Sequence, residues 1–397
     1  MKVYLVGTGT GSADCLTERA RAVIDNADIV IGAKRMTEGI ENKIIFNSYN
    51  SDEIAGYLSN KKVGSAAVLL SGDVGFYSGA KKLLDTLNGY EVELIPGISS
   101  LVYFCARLKM PWEDIRLLSM HGKSCNAINY IKKYKRVFLL LSGSESIREL
   151  CKKLCYYNMG NVRLYIGQRL SYPDESITCA KAEDIKDFSF DSLSVVLAEN
   201  PHPMDLSHSS IPDDEFIRGE VPMTKSEIRC ISLAKLGLSE NSVLYDIGAG
   251  TGSVSVEAAL KLTDGKVYAI ERNEKALGLI EENKRKFAAD NIEIIEGKAP
   301  AVLDTLPAPT HVFIGGSGGN MLEIIESCFN KNPTVKIVIN AVSLNTLCEV
   351  NNIIEQKDFN AEVICVNTAR DRMLGSYRLM TGLNPVYVIT IGGIKND

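Results

Sequence analysis

The sequence is poor in the residue patterns that bind structural metals. It has only four histidines, and none of its ten cysteines forms a CxxC pair, the closest two being Cys151 and Cys155. Zinc sites in proteins use cysteine and histidine ligands at short, regular spacings. We therefore expect no metal site and no disulfide framework, and we expect the cysteines to pack as reduced, small apolar side chains.

Long apolar runs and clusters of positive charge are also missing. No stretch approaches the ~20 apolar residues that span a bilayer, and the segment from Met1 to Gly7 has the pattern of a strand rather than of a secretory leader. The net charge is −5, with lysine and arginine scattered along the chain, whereas nucleic-acid-binding proteins concentrate positive charge on one surface. These features favour a cytoplasmic protein without a membrane or nucleic-acid partner.

What the sequence does contain is the pattern of an α/β protein with two domains. Hydrophobic residues make up 45% and charged residues 23%, values typical of folded globular proteins. Short β-branched segments alternate with amphipathic ones, as in parallel sheets flanked by helices. Four of the twelve prolines fall between 201 and 222, and proline interrupts helices and strands. The pattern predicts a domain over 1–200, a linker over 201–210 and a second domain over 211–397.

The most informative motif of the second domain is a glycine-rich turn. Residues 246–253, DIGAGTGS, lie between a predicted strand and a predicted helix, where alternate glycines let the backbone turn sharply close to a ligand. The next strand ends at Glu271, whose carboxylate can accept the two ribose hydroxyls of an adenosine. The GxGxG spacing favours adenosylmethionine over a nicotinamide or flavin dinucleotide, for which GxGxxG is typical. A dinucleotide-dependent oxidoreductase is the alternative.

Six segments of the second domain resemble the decarboxylating precorrin methyltransferase family. They are residues 211–219 (IPDDEFIRG), 221–227 (VPMTKSE), 246–257, 268–273 (YAIERN), 296–300 (EGKAP) and 313–319 (FIGGSGG). Within them, residues 224–227 have the pattern of a capping box, which starts a helix. The resemblance implies a class I, Rossmann-like methyltransferase domain that methylates carbon 15 of a tetrapyrrole and removes carbon dioxide from the acetate on carbon 12. It also implies that adenosylmethionine contacts Thr224, Asp246, Gly248, Ala249, Gly250, Thr251, Gly252, Glu271 and Ala299.

Two further segments of this domain are predicted to meet the substrate. The small residues 315–319 follow a strand, and ligands of α/β proteins bind at the carboxyl ends of strands. Segment 368–375 resembles family residues near the substrate, and we expect it to be a loop. Its arginines could pair with substrate carboxylates or simply lie in solvent. The expected substrate contacts are Gly315, Gly316, Ser317, Gly318, Arg370 and Arg372.

The first domain has a different set of glycine loops. Residues 7–12 (GTGTGS), 70–77 (LSGDVGFY) and 95–100 (IPGISS) each follow a predicted strand. With Pro111-Trp112, 119–122 and 141–143, these loops resemble the tetrapyrrole methylase family, especially its branch that methylates carbon 5, although Thr10 and Val74 stand where the family has proline. The resemblance implies two α/β subdomains with adenosylmethionine in the cleft between them. It implies cofactor contacts from Gly72, Asp73, Val74, Phe76, Ser99 and Ser100, and substrate contacts from Gly7, Gly9 and Gly11.

Together these features predict a bifunctional methyltransferase. The sequence offers no nucleophile–base–acid triad, as expected when the methyl donor is an activated sulfonium that the enzyme chiefly has to align. The resemblances imply methylation at carbons 5 and 15 of precorrin-6B or its cobalt form, with one adenosylmethionine in each domain and a polycarboxylate tetrapyrrole as substrate. The alternative is one active methyltransferase domain beside a domain that only presents substrate. We also expect a homo-oligomer. Candidates for a catalytic role are Asp73, His121, Arg370 and Arg372.

Overall fold

The computed structural model describes residues 1–120, 125–141, 143, 145–185, 189–204 and 210–392. The chain forms two compact units. The N-terminal unit contains Met1–Ser124, Lys135–Lys152 and Asn161–Pro201, and the C-terminal unit contains Cys125–Tyr134, Lys153–Gly160 and His202–Asp397. Among the residues it describes, the structure has no helix with the length and apolar character that a membrane span requires.

The first sheet of the N-terminal unit is parallel, with the strand order β3-β2-β4-β1-β5. Its central strand contributes Ala66, Ala67 and Val68, all buried, which explains its continuous run of apolar residues. The strands are β1 (Lys2–Gly7), β2 (Ile29–Gly32), β3 (Ile44–Asn47), β4 (Ser65–Leu70) and β5 (Glu91–Ile95). The helices are α1 (Glu18–Asn26), α2 (Lys34–Thr37), α3 (Ser51–Ser59), α4 (Ala80–Thr86) and α5 (Ser100–Leu108).

The second sheet of this unit is mixed, with the order β6-β7-β10-β8-β9. Only β6 and β7 pair in parallel, and the other pairs are antiparallel. The strands are β6 (Arg116–Ser119), β7 (Arg136–Leu140), β8 (Arg163–Gln168), β9 (Ser176–Lys181) and β10 (Ser194–Glu199). Helix α6 (Ala127–Lys133) connects β6 to β7, and helix α7 (Glu145–Tyr156) connects β7 to β8. The two separate sheets confirm the predicted pair of α/β subdomains.

The C-terminal unit is built on a seven-stranded sheet with the order β13-β12-β11-β14-β15-β19-β16. Strand β19 is antiparallel to both of its neighbours, and apolar cores cover both faces of the sheet. The strands are β11 (Val243–Ile247), β12 (Lys266–Glu271), β13 (Ile292–Glu296), β14 (His311–Ile314), β15 (Lys336–Ala341), β16 (Ala361–Val366) and β19 (Val386–Gly392). The helices are α8 (Ser226–Leu236), α9 (Ser253–Lys261), α10 (Glu274–Lys286), α11 (Met321–Lys331) and α12 (Leu344–Lys357). This arrangement confirms the predicted class I methyltransferase fold.

A hairpin stands apart from the seven-stranded sheet. Strands β17 (Ala369–Leu374) and β18 (Tyr377–Gly382) pair only with each other. The prediction of a loop around Arg370 and Arg372 was therefore wrong. The charged residues of β17 (ARDRML) break the alternation of apolar and polar residues by which a strand is recognised. The hairpin is exposed almost throughout, including large apolar side chains such as Tyr377, at 72%, and Met380, at 69%.

Helix α6 belongs to the C-terminal unit although it precedes this unit in sequence. The side-chain amide of Asn129 donates to the backbone carbonyls of Ala259 (3.2 Å) and Leu262 (3.0 Å), at the end of α9. Asn126 likewise donates to the carbonyls of Thr263 and Gly265, both at 2.9 Å. The last carbonyls of a helix have no partner within the helix, and these amides, together with that of Asn291, supply donors to them.

Candidate functional site

The glycine-rich turn between β11 and α9 has the conformation that its spacing predicts. Gly248, Gly250 and Gly252 have φ of +73°, +58° and +75°, a region that other residues rarely adopt. A Cβ on Gly248 would lie 2.8 Å from the backbone oxygen of Gly316, and one on Gly250 would lie 3.1 Å from that of Pro222. At Gly248 and Gly250, both the backbone conformation and the close packing therefore require glycine.

A cavity of about 670 Å³ opens beside this turn. Its wall combines residues from the carboxyl ends of β11, β12, β13 and β14, where the fold predicts ligand binding. Most of the residues predicted for the C-terminal site meet there, whereas Gly252, Arg370 and Arg372 do not line it. The predicted residues in the wall are Thr224, Asp246, Gly248, Ala249, Gly250, Thr251, Glu271, Ala299, Gly315, Gly316, Ser317 and Gly318.

Three buried polar atoms in this wall have no hydrogen-bond partner among the described residues. They are Oδ1 of Asp246, Oγ1 of Thr251 and Nδ2 of Asn340. Unpaired buried polar atoms are costly, so their position beside a cavity indicates a polar ligand. The sequence offered no signal for Asn340, which lies within the apolar strand β15.

Asp246 is fully buried, and its second oxygen, Oδ2, accepts a hydrogen bond from the Ser255 hydroxyl. Burial raises the pKa of Asp246 to about 7, and the bond from Ser255 opposes this rise only in part. A buried carboxylate with one free oxygen favours a cationic ligand group, because a nearby positive charge stabilises the ionised form.

Glu271 at the end of β12 is held by three backbone groups. Its Oε2 accepts from the Gly250 amide at 3.0 Å, and its Oε1 accepts from the amides of Arg272 (2.8 Å) and Asn273 (3.0 Å). The carboxylate is thus fixed against the glycine turn. This is the position at which a carboxylate receives ribose hydroxyls in nucleotide-binding α/β folds.

The predicted capping box at 224–227 is wrong. Helix α8 begins after Lys225 without a side-chain cap of its own, and the Ser226 amide donates instead to Asp213 Oδ1 at 2.9 Å. Thr224 has a different role, because its backbone oxygen accepts a 2.6 Å hydrogen bond from Arg229, which is fully buried. A distant carboxylate and a buried guanidinium fix this segment, which local sequence spacing does not reveal.

Arg370 is occupied by two carboxylates. Its Nη2 lies 2.6 Å from Glu227 Oε2 and 2.9 Å from Asp213 Oδ2, and these partners raise the pKa of the guanidinium. Arg370 therefore ties the hairpin to the start of α8. Its guanidinium has fewer donors left to bind a substrate carboxylate. Arg372, on the same strand, is exposed.

The predicted glycine loops of the N-terminal unit pack against one another. Gly9 and Gly72 exchange two backbone hydrogen bonds of 3.1 and 2.7 Å, and a Cβ on Gly7 would lie 2.8 Å from the Gly72 oxygen. Asp73 joins this arrangement, since its Oδ2 accepts from the Gly97 amide (3.0 Å) and its Oδ1 from the Gly75 amide (2.8 Å). Asp73 thus connects the loops after β4 and β5.

The other cofactor candidates of this unit also make internal contacts. The hydroxyl of Ser99 accepts from the Val102 amide at 3.2 Å and caps α5, which starts at Ser100. Phe76 packs near Phe138, with ring centroids 6.1 Å apart, and Val74 packs against the core beneath the first sheet. His121 lies outside the described residues.

Sequence analysis missed two residues beside the first glycine loop. A Cβ on Gly11 would lie 2.5 Å from the ring of Tyr172, so this ring lies directly against the loop. Glu175 holds the segment, as it accepts hydrogen bonds from Tyr103, Arg107 and the Ser171 amide, each at 2.7 Å. The contact joins positions more than 150 residues apart, and nothing in the local sequence around either position indicates it.

Two protein families match the chain, one in each half. Residues 2–186 match the tetrapyrrole (corrin/porphyrin) methylases, and residues 214–391 match the precorrin methyltransferase domain.

Curated relatives match one half or the whole. A probable cobalt-precorrin-6B C(15)-methyltransferase (decarboxylating) of Pyrobaculum calidifontis is 43% identical over 45% of this chain and 94% of its own length. A precorrin-6Y C(5,15)-methyltransferase (decarboxylating) of a Sinorhizobium species is 26% identical over 97% of this chain and 94% of its own length. A solved precorrin-6Y C5,15-methyltransferase of Geobacter metallireducens is 43% identical, with a TM-score of 0.44, over 46% of this chain and 96% of that one. The chain belongs to the decarboxylating precorrin methyltransferase family, as a fusion of a tetrapyrrole methylase domain with a precorrin methyltransferase domain.

Proposed function

We propose that this chain methylates carbons 5 and 15 of precorrin-6B, or of its cobalt form, and decarboxylates the acetate on ring C to give precorrin-8. The N-terminal unit is assigned to carbon 5 and the C-terminal unit to carbon 15 with decarboxylation. The proposal rests on the cavity of the C-terminal unit, where motif residues from four strand ends meet and three buried polar atoms have no hydrogen-bond partner in the described part of the chain.

The residues of this cavity fit adenosylmethionine. When bound, this cofactor supplies a methyl group on a positively charged sulfonium. Asp246 would attract the ammonium group, and Glu271 would accept the ribose hydroxyls. The glycine turn lets the backbone approach the ligand closely. Thr224 and Ala299 are proposed contacts from the neighbouring loops.

In the N-terminal unit we propose a second adenosylmethionine site on the loops that include Gly72, Val74, Phe76 and Ser100. Both oxygens of Asp73 and the hydroxyl of Ser99 already have protein partners. These two side chains therefore act as positioning residues that keep the loops in shape. Backbone groups of the loops are left to meet the cofactor.

The substrate of the C-terminal unit is proposed to lie over Gly315, Gly316, Ser317 and Gly318. Small residues at a strand end leave space for a macrocycle, and a Cβ at Gly316 would meet nothing within 4 Å. Loss of carbon dioxide breaks a carbon–carbon bond whose electron pair passes into the conjugated ring, and a proton then completes the methyl group on carbon 12. The protein has to orient the ring and exclude water, so no nucleophilic side chain is needed.

Self-association is proposed for the exposed hairpin. Met373, Leu374, Tyr377 and Met380 are all more than half exposed there, and apolar surface of this kind commonly marks a protein contact. This supports the expected homo-oligomer. The cytoplasmic location and the absence of membrane and nucleic-acid partners stay predictions.

The two-site assignment is tested with variants that disable one unit at a time. Gly250→Val places a branched side chain at a positive φ beside the Pro222 oxygen, so it should abolish carbon dioxide release. Gly278→Val is the matched control, because a Cβ there meets nothing within 4 Å. Asp73→Ala combined with Ser99→Leu should keep carbon dioxide release and yield a product with one new methyl group.

Mass spectrometry counts the methyl groups added to the product, and trapping measures the carbon dioxide released. Circular dichroism checks that each variant is folded. If the folded N-terminal variant also lost decarboxylation, the assignment of the two reactions to separate units would be wrong. Reduction of a nicotinamide cofactor by the wild-type chain would favour the oxidoreductase alternative instead.

A further inference from the structure

Two cationic side chains converge on the glycine loop after β14. A Cβ on Gly318 would lie 3.4 Å from Cε of Lys298 and 3.7 Å from Nη1 of Arg272. Arg272 follows β12 and Lys298 follows β13, so neighbouring strands bring both to the same edge of the sheet. Both residues line the cavity of the C-terminal unit and are exposed at its surface.

Neither cation has an acidic partner among the described residues. Other arginines of this unit do: Arg229 pairs with Asp213 and Glu257, and Arg370 with Asp213 and Glu227. Glu271 is adjacent to Arg272 in sequence, but it accepts hydrogen bonds from three backbone amides rather than from that side chain. Two like charges beside one another repel, and an anion between them relieves the repulsion.

Charged side chains of both signs line the cavity, and Lys225 is a third cation in its wall. The carboxylates of Asp246 and Glu271 are on the glycine-turn side, and Asp246 is fully buried, which suits a cationic cofactor. The cations Arg272 and Lys298 are at the exposed edge, which suits an anionic ligand. A volume of about 670 Å³ is that of a pocket for one drug-sized molecule. A macrocycle bound beside the cofactor must therefore extend over the edge of the cavity.

We propose that Arg272 and Lys298 together bind a carboxylate side chain of the tetrapyrrole substrate and so orient the macrocycle in the C-terminal unit. Gly318 belongs to this subsite, because a side chain there would contact both cations. The subsite rests on the proposed function, since it needs a substrate that carries acetate or propionate groups. Arg272 and Lys298 are thus two specificity-determining residues that bind the substrate. The cofactor binds on the glycine-turn side of the cavity, beside Asp246 and Glu271.

The test uses the full chain with Arg272→Ala, Lys298→Ala and the double variant. Lys357→Ala serves as the control, because Lys357 pairs with Glu326 and neither residue lines the cavity. Carbon dioxide release from cobalt-precorrin-6B gives KM and kcat, and calorimetry gives the Kd of adenosylmethionine. Each single variant should raise the macrocycle's KM about fivefold, the upper range for an exposed ion pair. Neither kcat nor the cofactor's Kd should change.

Charge and salt provide the further readouts. Arg272→Lys and Lys298→Arg should restore most of the affinity, and added salt should raise the KM of the wild type more than that of the double variant. A double variant with the KM of the Lys357→Ala control would overturn the proposal. So would an equal loss of affinity for adenosylmethionine, which would assign both cations to the cofactor.

A binding experiment separates this proposal from the proposed function. Absorbance titration of cobalt-precorrin-6B requires no turnover, and any binding by the N-terminal unit contributes equally to the wild type and to the double variant. Weaker binding by the Arg272 and Lys298 double variant supports the carboxylate subsite even if no methyl group is transferred. Equal binding refutes the subsite even if the wild type proves fully active.

Discussion

The ionisation of Asp246 should make the C-terminal cavity bind adenosylmethionine in a pH-dependent way. Its Oδ1 is buried with no hydrogen-bond partner among the residues described, and burial raises the pKa of Asp246 to about 7. A cationic ligand beside this carboxylate stabilises the ionised form and lowers the pKa in the complex. The free protein is protonated at this position below pH 7, so binding must then release a proton, and affinity falls as the pH falls.

The size of the effect follows from linkage between proton and ligand binding. With a free-protein pKa near 7 and a much lower value in the complex, the Kd should rise about eightfold between about pH 7.5 and pH 6. Asp246→Asn cannot ionise, so it should lose this dependence. It should also weaken binding at about pH 7.5 by tenfold or more, the equivalent of ~1.5–3 kcal/mol for a hydrogen bond to a charged group.

The stability of the free protein should change in the opposite sense. The folded pKa of Asp246 lies above its ordinary value of 3.8, so the ionised form is the one that folding disfavours. The free energy of unfolding should fall as the pH rises from about 4 to 7, and Asp246→Asn should be the more stable protein above pH 7.

The assay is calorimetric titration of the full chain with adenosylmethionine at several pH values, in two buffers of different ionisation enthalpy to count protons. Ser239→Ala, a change at a hydroxyl outside the cavity wall, provides a control for general effects. A wild-type Kd that stays constant between pH 6 and 8 would refute the reasoning, as would an Asp246→Asn variant that keeps the slope.

Three further predictions concern other parts of the molecule. Asn129→Ala removes one of two amides that donate to the Leu262 carbonyl, the other being that of Asn291, and it should lower the stability of the C-terminal unit by about 1 kcal/mol in urea denaturation; an unchanged midpoint would contradict a structural role for α6. Glu175→Ala releases the segment that holds Tyr172 against the first glycine loop, so the product should lack one methyl group while carbon dioxide release continues. His311 has a pKa lowered to about 4 by burial, so unfolding favours its protonated form and stability should fall as the pH drops below about 6.5. His311→Gln should flatten that decline, as measured by thermal melting at pH 5 and pH 7.

The parts of the site that the sequence predicts are those in which backbone conformation dictates residue type. Gly248 and Gly250 have positive φ and closely packed neighbours, so their spacing records the shape of the turn. Glu271 is the last residue of β12, the strand that pairs with β11, and this pairing sets the position of Glu271 relative to the turn. Local rules of this kind operate over a few residues and remain visible in a single sequence.

The parts that the sequence did not predict depend on contacts between distant positions. Arg370 reaches Asp213 and Glu227 across 157 and 143 positions, and Asn129 reaches α9 across 130. Tyr172 meets Gly11 from the far end of the same unit. An isolated Arg, Asn or Tyr in a sequence is compatible with solvent exposure, so only the fold assigns these side chains their partners.

If one chain carries two active methyltransferase sites, the stoichiometry of the wild-type reaction must show it. The pure chain is given cobalt-precorrin-6B or precorrin-6B with excess adenosylmethionine that carries a labelled methyl group. Mass spectrometry counts the methyl groups added to each macrocycle, and trapping measures carbon dioxide. We expect two new methyl groups and one carbon dioxide for each macrocycle; one methyl group with one carbon dioxide at complete conversion would show a single active site and rule out the two-site assignment.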